Sequence, residues 1–290
     1  MDFFQDYKIC YVEDCSNNKD CQCMLNLYQG SDDCETNKRI KASNVQKGER
    51  KRFDSEMFMR LSTQSTSKGS QDKWVSKDKK YFVKERFFYQ ERFWNDDLVE
   101  IIASAIGEQL GFHVLKQELC EIEGRDACFS EFFNEKFIPF AKFDKTQEIF
   151  EYNNPLDRLE FVLKRLKSET GLELHEYFYQ MSILDFLVGN EDRHVNNFGV
   201  FWDGEFKPAI LFDFGLGLFE HDIIYDGMTL AQARTKMTRL PFGDQREIIK
   251  YLGNNKLNKR IILKDKILPN SLTKDYLQWA CNALGLEVIF

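Results

Sequence analysis

The chain has 290 residues, of which 43% are hydrophobic and 30% are charged, and its formal net charge is −7. This composition is ordinary for a globular protein built as one two-lobed unit or two small domains. The negative balance argues against nucleic acid or an acidic membrane as the main partner. The N-terminus lacks a basic start followed by an apolar run, and no window approaches the roughly 20 apolar residues of a membrane span. A cytoplasmic protein with no membrane partner is therefore expected.

The first 52 residues carry two compositional features. Five of the eight cysteines lie within the first 34 residues, at irregular spacings and without a Cys-x₂-Cys pair or a nearby histidine, which favours scattered thiols over a zinc site. Residues 38–52 are strongly basic; they could contact a phosphate-rich partner, although a solvated loop is the more common meaning of such a run. Within the cysteine-containing region, the β-prone runs 8–12 and 22–28 are predicted to pair across a polar loop.

Residues 73–111 are predicted to form a hairpin followed by a helix. Runs 73–75 and 80–87 flank the turn Ser76-Lys77-Asp78, and a helix is expected to begin at Asp96 or Asp97 and to end at Gly111. This order is typical of a small nucleotide-binding lobe.

Lys84 lies in the second strand of that hairpin. Alternation puts Phe82, Lys84 and Arg86 on one face, so the Lys84 ammonium can lie among apolar neighbours and point into a cleft. A surface lysine is the common alternative for a strand position. The place of Lys84 in the order of elements favours a lysine that holds nucleotide phosphates.

The part of the chain after about residue 137 is predicted to be mostly helical. Asn154-Pro155 has the form of a helix start, residues 172–188 are apolar nearly all round, and further helices are expected at 231–239 and 272–284.

Residues 189–215 contain the most informative pattern. Two apolar, β-prone runs flank Asp203-Gly204, a strong two-residue hairpin signal. With that turn, Trp202 would face Glu205, Asn197 would face Ile210 and His194 would face Asp213. Asp192, Asn197 and Asp213 would then meet at the open end of the hairpin.

Those three residue types suit phosphoryl transfer. The reaction needs a carboxylate that orients the attacking hydroxyl and accepts its proton, and oxygen ligands that hold Mg²⁺ on the nucleotide phosphates. Asp192 is the candidate base, and Asn197 and Asp213 are the candidate metal ligands. Asp-x₄-Asn followed by Asp-Phe-Gly is also the spacing that protein kinases use, whereas Asp-x₄-Asn alone would indicate nothing. His194 is expected to organise this catalytic loop, and Arg193 to stabilise either the loop or phosphate charge.

The order Asp192-Arg193-His194, with Asn197 after it and Asp213-Phe-Gly215 downstream, resembles the HipA-like serine/threonine kinases of bacteria and, more distantly, the phosphoinositide kinases. The resemblance covers about residues 73–219. It implies an α+β, two-lobed protein-kinase-like fold, with a small β-rich N-lobe (1–134) that binds the nucleotide and a larger, mainly helical C-lobe (135–290). It also implies ATP and Mg²⁺ as cofactors, a protein substrate with a Ser/Thr hydroxyl and an antitoxin partner, without direct binding of nucleic acid.

The resemblance implies further site residues, each with a plainer alternative. Ser67, Lys68 and Gly69 would cover the phosphates, within a Ser/Thr-rich segment (62–70) where this family carries an inhibitory autophosphorylation; a flexible linker is the alternative. Glu100 would pair with Lys84, or be a solvated glutamate off the apolar stripe of its helix. The segment 128–133, and in it Glu131, Phe132 and Phe133, would pair its main chain with adenine, or be a buried edge strand.

Three hypotheses follow from the sequence. The first is a HipA-like, ATP-dependent serine/threonine kinase that could act as a growth-arresting toxin. The second is a small-molecule or lipid kinase on the same scaffold. The third is a binding module without catalysis, against which the three intact polar positions at 192, 197 and 213 argue.

Overall fold

The structure is a computed structural model that describes residues 50–61, 72–89, 92–133, 136–218, 229–235, 242–253, 257, 259–263, 268 and 271–290. The predicted strands at 8–12 and 22–28, the N-terminal cysteines and the proposed phosphate loop with Ser67, Lys68 and Gly69 lie outside these residues. The fold is mixed α/β, with a curled β-sheet followed by a mainly helical part, as in kinase-like proteins. The domain boundary at 134/135 stays a prediction.

A six-stranded sheet dominates the first part, and its strands are, in spatial order, β1 (Lys51–Phe53), β7 (Glu118–Ile122), β8 (Arg125–Glu131), β4 (Tyr81–Glu85), β3 (Lys73–Ser76) and β2 (Phe58–Leu61). Strands β1 and β7 are parallel and all other neighbours are antiparallel. Strands β5 (Phe88–Tyr89) and β6 (Arg92–Phe93) form a separate short hairpin.

The β3–β4 hairpin confirms the first predicted hairpin. Its turn is closed by the Ser76 hydroxyl, which accepts hydrogen bonds from the amides of Lys80 (3.0 Å) and Tyr81 (2.9 Å). One face of the sheet buries Phe58, Trp74, Val83 and Phe129 in a small apolar core. Because strand side chains alternate, the opposite face carries Lys73, Lys84 and Cys128, which are directly paired across β3, β4 and β8.

The predicted helix after this hairpin is α1 (Asp96–Leu110), which ends at Gly111 in the left-handed conformation (φ +78°), as expected from the sequence. Two carboxylates in its first turn tie it to the end of β4. Asp97 pairs with Arg86 (2.8 Å), and Asp96 accepts from the amide of Phe87 (2.9 Å). These contacts fix where Glu100, one turn further on, meets the sheet.

Four of the remaining α-helices in the described residues follow the predictions, and the helix at Gln245–Leu252 was not predicted. Asn154 caps its helix by accepting from the amide of Leu156 (2.8 Å). The helices are α2 (Pro155–Thr170), α3 (His175–Leu187), α4 (Leu230–Thr235), α5 (Gln245–Leu252) and α6 (Ser271–Ala283). Together with α1 they enclose the main apolar core. Of the helix expected at 231–239, residues 236–239 lie outside the described part. Among the described residues, no helix has the length and apolar character needed to cross a bilayer.

The hairpin predicted around Asp203-Gly204 is present, but its predicted register is wrong. Strands β10 (Gly199–Trp202) and β11 (Phe206–Pro208) pair Trp202 with Phe206 rather than with Glu205, because the connection has three residues and Gly204 adopts φ +81°. A further strand, β9 (Phe137–Pro139), pairs with the other edge of β10. Glycine is required at 199, since a Cβ atom there would lie 2.2 Å from the Ile138 carbonyl oxygen.

The sequence suggested that the β10–β11 ladder would continue as far as Asp213, but it does not. After β11 the chain turns to another partner: the Leu211 amide donates to the His113 carbonyl, and the Leu115 amide donates to the Leu211 carbonyl, both at 2.8 Å. The candidate catalytic loop (192–197) and the Asp-Phe-Gly segment (213–215) therefore meet through side chains and not through the hairpin. Strands β12 (Arg260–Ile262) and β13 (Glu287–Ile289) form a separate parallel pair.

Candidate active site

Three charged side chains from three distant elements meet between the sheet and the helical part. The Lys84 ammonium donates to Glu100 Oε1 and to Asp213 Oδ1, both at 2.6 Å. The other Glu100 oxygen accepts from the Phe214 amide (3.2 Å). Because Glu100 is only 1% exposed, the solvated alternative for this residue is excluded. This site cluster, defined as Lys84, Glu100 and Asp213, joins β4, α1 and the Asp-Phe-Gly segment.

The pKa values of the cluster reflect this pairing. Burial by itself would lower the pKa of Lys84, but the charges of Asp213 and Glu100 raise it well above its usual range. Burial would raise the pKa of Asp213, but the charge and hydrogen bond of Lys84 hold it below its usual range. Both groups are therefore ionised at neutral pH, which is the state that binding of a metal ion and phosphates requires.

The backbone of Asp213 adopts an uncommon conformation, with φ +65°. Aspartate enters this left-handed region more readily than most residues, although at some cost. Contacts on both sides hold it there: Lys84 binds its carboxylate, and the carbonyl of the preceding Phe212 accepts from Arg193 (2.6 Å). The carboxylate is thus fixed while its side chain remains 34% exposed.

Arg193 is enclosed by the protein and connects the catalytic loop to the Asp-Phe-Gly segment. Its guanidinium donates to the Asp185 carboxylate (2.8 Å) and to the carbonyls of Asn197 (2.9 Å) and Phe212 (2.6 Å), and it lies 4.6 Å from the Phe214 ring centroid. Burial would lower its pKa, but the charge of Asp185 raises it. Two roles were considered for Arg193. Because the guanidinium is buried and bonded to these partners, it fits stabilisation of the loop rather than contact with a phosphate.

Asp185 was missed at the sequence level, although a signal existed. It is a carboxylate in the apolar run 172–188, and it is fully buried in α3. Besides Arg193 it accepts from Asn190 Nδ2 (2.8 Å), whose own Oδ1 accepts from the Asp192 amide (3.2 Å). Asp185, Asn190 and Arg193 form the loop cluster, which holds the backbone of the catalytic loop from inside.

Asp192 and His194 occupy the outer side of this loop, whereas Asn197 is buried. Asn197 Nδ2 donates to the Asp192 carbonyl (3.2 Å), so the amide oxygen of Asn197 is the atom suited to a metal ion. The Asp192 and His194 side chains are each 43% exposed, and His194 Nε2 lies 3.8 Å from Asp192 Oδ2. His194 Nδ1 also accepts from the Asn196 amide (3.2 Å). The backbone of Asp192 is therefore fixed while its carboxylate faces a solvent-accessible region.

The segment 128–133 differs in part from what the sequence suggested. Through Glu131 it is an inner strand of the sheet, and not an edge strand, because β8 lies between β7 and β4. The Phe132 amide donates to the Lys80 carbonyl (2.9 Å) and the Phe133 carbonyl accepts from the Lys136 amide (3.1 Å). These two main-chain groups have partners within the protein, and pairing of adenine with the other main-chain groups of this segment stays a prediction.

The side chain of Phe133 instead links this segment to the site. Its ring lies 5.1–6.0 Å from those of Phe137, Phe201 and Phe212, in edge-to-face contacts. Phe212 immediately precedes Asp213, so the aromatic group connects the end of the sheet with the candidate metal ligand. Such contacts stabilise by roughly 0.5–1.5 kcal/mol each beyond the area they bury.

The donor set of the site fits a magnesium ion held together with phosphates. Asp213 supplies a carboxylate and Asn197 an amide oxygen, which are the hard ligands that Mg²⁺ prefers, and phosphate oxygens and water would complete its coordination. Over the described ranges, no group of three or more histidine, cysteine, aspartate or glutamate side chains could hold a metal ion without such additional ligands.

The fold is similar to that of solved kinases. The crystal structure of the proinflammatory kinase CtkA from Helicobacter pylori matches with a TM-score of 0.52 and 18% identity, over 80% of this chain and 93% of that chain. HipA of Shewanella oneidensis MR-1, solved with HipB and operator DNA, aligns with a TM-score of 0.40 and 14% identity, over 78% of this chain and 57% of that chain. No protein-family model matches the sequence, and no curated protein matches it.

The chain therefore has a kinase-like fold, similar to that of CtkA. At this level of identity the match concerns the fold, and it agrees with the resemblance found in the catalytic-loop and Asp-Phe-Gly motifs.

Proposed function

We propose that the protein is an ATP-dependent, Mg²⁺-requiring kinase that transfers the γ-phosphate of ATP to a serine or threonine hydroxyl of a protein. The observation that carries this proposal is the pair of contacts from Lys84 to Glu100 and Asp213, together with the bridge from Arg193 to the carbonyls of Asn197 and Phe212. These contacts support the proposal because they join Lys84 to the Asp213 carboxylate and hold the main chain of Asn197 near that of Phe212, and phosphoryl transfer uses a lysine, a carboxylate and an amide of these kinds.

Each residue has a distinct role in this proposal. Asp192 orients the acceptor hydroxyl and takes its proton, for which its half-exposed carboxylate on a fixed loop is suited. Asp213 and Asn197 would hold Mg²⁺, which neutralises phosphate charge when bound. Lys84 holds the phosphates and is itself positioned by Glu100. Arg193 acts as a positioning residue, and His194 organises the loop.

The experiment is incubation of the purified protein with radiolabelled ATP, Mg²⁺ and a cell lysate. We expect labelled protein bands with the wild type and none with Asp192→Ala, whose ATP affinity should stay within a few fold because Asp192 acts on the acceptor and not on the nucleotide. Asp203→Ala is the matched control, because this carboxylate lies in the exposed β10–β11 turn and its side chain is 60% exposed.

Each alternative has its own outcome in that experiment. Labelling of a hydroxylated metabolite or an inositide, with proteins left unlabelled, would favour the small-molecule or lipid kinase. Binding of ATP without transfer to any acceptor would favour the binding module. Undiminished transfer by Asp192→Ala would remove the base assignment.

The toxin role rests on the motif resemblance alone. It predicts that expression in a bacterial host arrests growth, that Asp192→Ala does not, and that co-expression of an antitoxin partner restores growth. Equal growth with the wild type and the Asp192→Ala variant would contradict it. A cytoplasmic location belongs to the same proposal.

A further inference from the structure

Arg86, the residue that follows β4, is held by a buried carboxylate of α1. Its guanidinium donates to both oxygens of Asp97, from Nε to Oδ1 (2.8 Å) and from Nη2 to Oδ2 (2.9 Å). A guanidinium and a carboxylate that share two parallel hydrogen bonds are fixed in direction as well as in distance. The Asp97 side chain is fully buried, so water does not compete for this contact. The first turn of α1 is therefore fixed to the end of the strand that carries Lys84.

The neighbouring strand β8 holds Arg86 as well. The Arg86 amide donates to the Asp126 carbonyl (2.7 Å), and Arg86 Nη1 lies 3.1 Å from Asp126 Oδ2. The Asp126 carboxylate also pairs with Arg50, the residue before β1. These four residues, Arg50, Arg86, Asp97 and Asp126, form the clamp cluster, in which two cations meet two carboxylates. Burial would lower the pKa of Arg86, but the charge of Asp97 raises it, so Arg86 stays ionised at neutral pH.

The clamp cluster is suited to fixing geometry rather than to adding stability. The cost of removing ions from water largely offsets their mutual attraction, and apolar side chains of similar volume often stabilise a fold as well or better. An apolar contact has no preferred direction, however, whereas the two parallel bonds from Arg86 to Asp97 do. The effect of the cluster is therefore expected in the orientation of α1.

Glu100 lies on the same side of α1 as Asp97. Residues three apart in a helix are neighbours on its surface, and they are separated by about 4.5 Å along the helix axis. A rotation or tilt of α1 that separates Asp97 from Arg86 would thus also move Glu100 away from the Lys84 ammonium. Asp96 adds a hydrogen bond from the Phe87 amide, but a single bond of this kind does not fix the rotation of the helix about its axis.

We propose that Arg86 is a positioning residue for phosphoryl transfer, which acts through α1 by keeping Glu100 in contact with Lys84. This inference rests on the proposed kinase activity and extends it to the control of the same site. If the clamp opens, α1 can turn and Glu100 leaves Lys84, which then pairs with Asp213 alone. Lys84 would lose its orientation, and the Asp213 carboxylate would be less available to a metal ion.

The test compares Arg86→Met with Arg125→Met. Arg125 is the matched control because it also binds a buried carboxylate at the end of β4, that of Glu85 (2.9 Å), but on the other face of the strand. Hydrogen exchange at the Phe214 amide reports on Glu100, whose Oε2 accepts from this amide. We expect this exchange to be about tenfold or more faster in Arg86→Met and unchanged in Arg125→Met. Transfer of labelled phosphate from ATP should fall about 10- to 100-fold in Arg86→Met alone.

A double-mutant cycle separates positioning from a general loss of stability. If Arg86 acts through Glu100, Arg86→Met should lower transfer by less than about threefold in a protein that already carries Glu100→Gln, whereas independent effects would multiply. Arg86→Lys keeps the charge but cannot form the two parallel bonds, so it should recover transfer only in part. Asp97→Asn, which retains one acceptor oxygen, is measured in the same way and decides alone if Arg86→Met does not fold.

The hydrogen-exchange measurement keeps the inference separate from the proposed function. Unchanged exchange at Phe214 in Arg86→Met, or equal acceleration in Arg125→Met, would overturn the role of Arg86 while leaving the kinase proposal intact. Effects of Arg86→Met and Glu100→Gln that multiply would overturn it as well. If the wild type transfers phosphate to no acceptor, the kinase proposal fails, and exchange at Phe214 alone then decides whether Arg86 positions Glu100.

Discussion

The two ionic clusters near the catalytic loop differ in their access to solvent. Arg193, Asp185 and Asn190 of the loop cluster are each at most 1% exposed, whereas Asp213 of the site cluster keeps a third of its side chain accessible. Both clusters pair a cation with carboxylate oxygen at 2.6–2.8 Å. Ionic pairing therefore does not identify the functional centre. An enclosed cluster can only stabilise the shape of the chain, while an open one can exchange its partners for a ligand.

The largest expected effect on stability is in the enclosed cluster. Arg193→Ala leaves the Asp185 carboxylate buried without its cation and removes the donor to the Asn197 and Phe212 carbonyls, so it should lower the free energy of unfolding by about 3–5 kcal/mol. Arg260→Ala is the control, since its pair with Glu287 is solvent-exposed and contributes about 0–1 kcal/mol. Urea unfolding of both variants measures the difference. Similar losses in the two would show that the loop cluster is not the structural anchor.

The site cluster should lose less stability when a carboxylate is neutralised. Glu100→Gln leaves Lys84 paired with Asp213 and retains an oxygen that can accept from the Phe214 amide, so a loss of about 1–2 kcal/mol is expected. Phosphoryl transfer should nevertheless fall at least tenfold, because Lys84 would no longer be positioned. Glu118→Gln, at an exposed position, is the control and should change neither quantity. A Glu100→Gln variant with full activity would reduce Glu100 to a structural residue.

The smallest expected effect is on the pH dependence of stability. Since the pKa of Asp213 is held below its usual range, its ionised form contributes stability that is present above about pH 4 and is lost as the pH falls toward the pKa of the folded state. Asp213→Asn should therefore lose less stability than the wild type between about pH 5 and pH 3. Urea unfolding at several pH values measures how the free energy of unfolding depends on pH. The same pH dependence in the two proteins would contradict the account of the site cluster.

Local chemistry explains which parts of the fold were predictable. The cap at Asn154, the stop at Gly111 and the turn at Ser76 are each determined by residues within a few positions, and all three predictions are confirmed. The register of the β10–β11 hairpin was not predictable, because it depends on whether the connection has two or three residues, which the same Asp203-Gly204 pair allows. The addition of β9 to that hairpin depends on a contact distant in sequence.

The site was predictable in its residue types and less so in its contacts. Asp192, Asn197 and Asp213 stand out because their spacing matches a known chemistry. Glu100 lies off the apolar stripe of its helix, and its burial depends on Lys84, which in turn binds Asp213 129 residues further along the chain. No local pattern encodes such a contact. Asp185 was recognisable as a carboxylate within an apolar helix, but its partner could not be inferred from periodicity.

The central claim is that the site cluster binds a nucleotide through Mg²⁺. The most direct test is titration of ATP, with and without Mg²⁺, into the wild type and the Asp213→Asn variant. We expect Mg²⁺ to strengthen ATP binding at least tenfold in the wild type and to have little effect in the variant, in which Lys84 still pairs with Glu100 and the fold is retained. Asp203→Asn, in the exposed turn, should respond to Mg²⁺ as the wild type does. Equal strengthening of ATP binding by Mg²⁺ in the wild type and in Asp213→Asn would contradict the account.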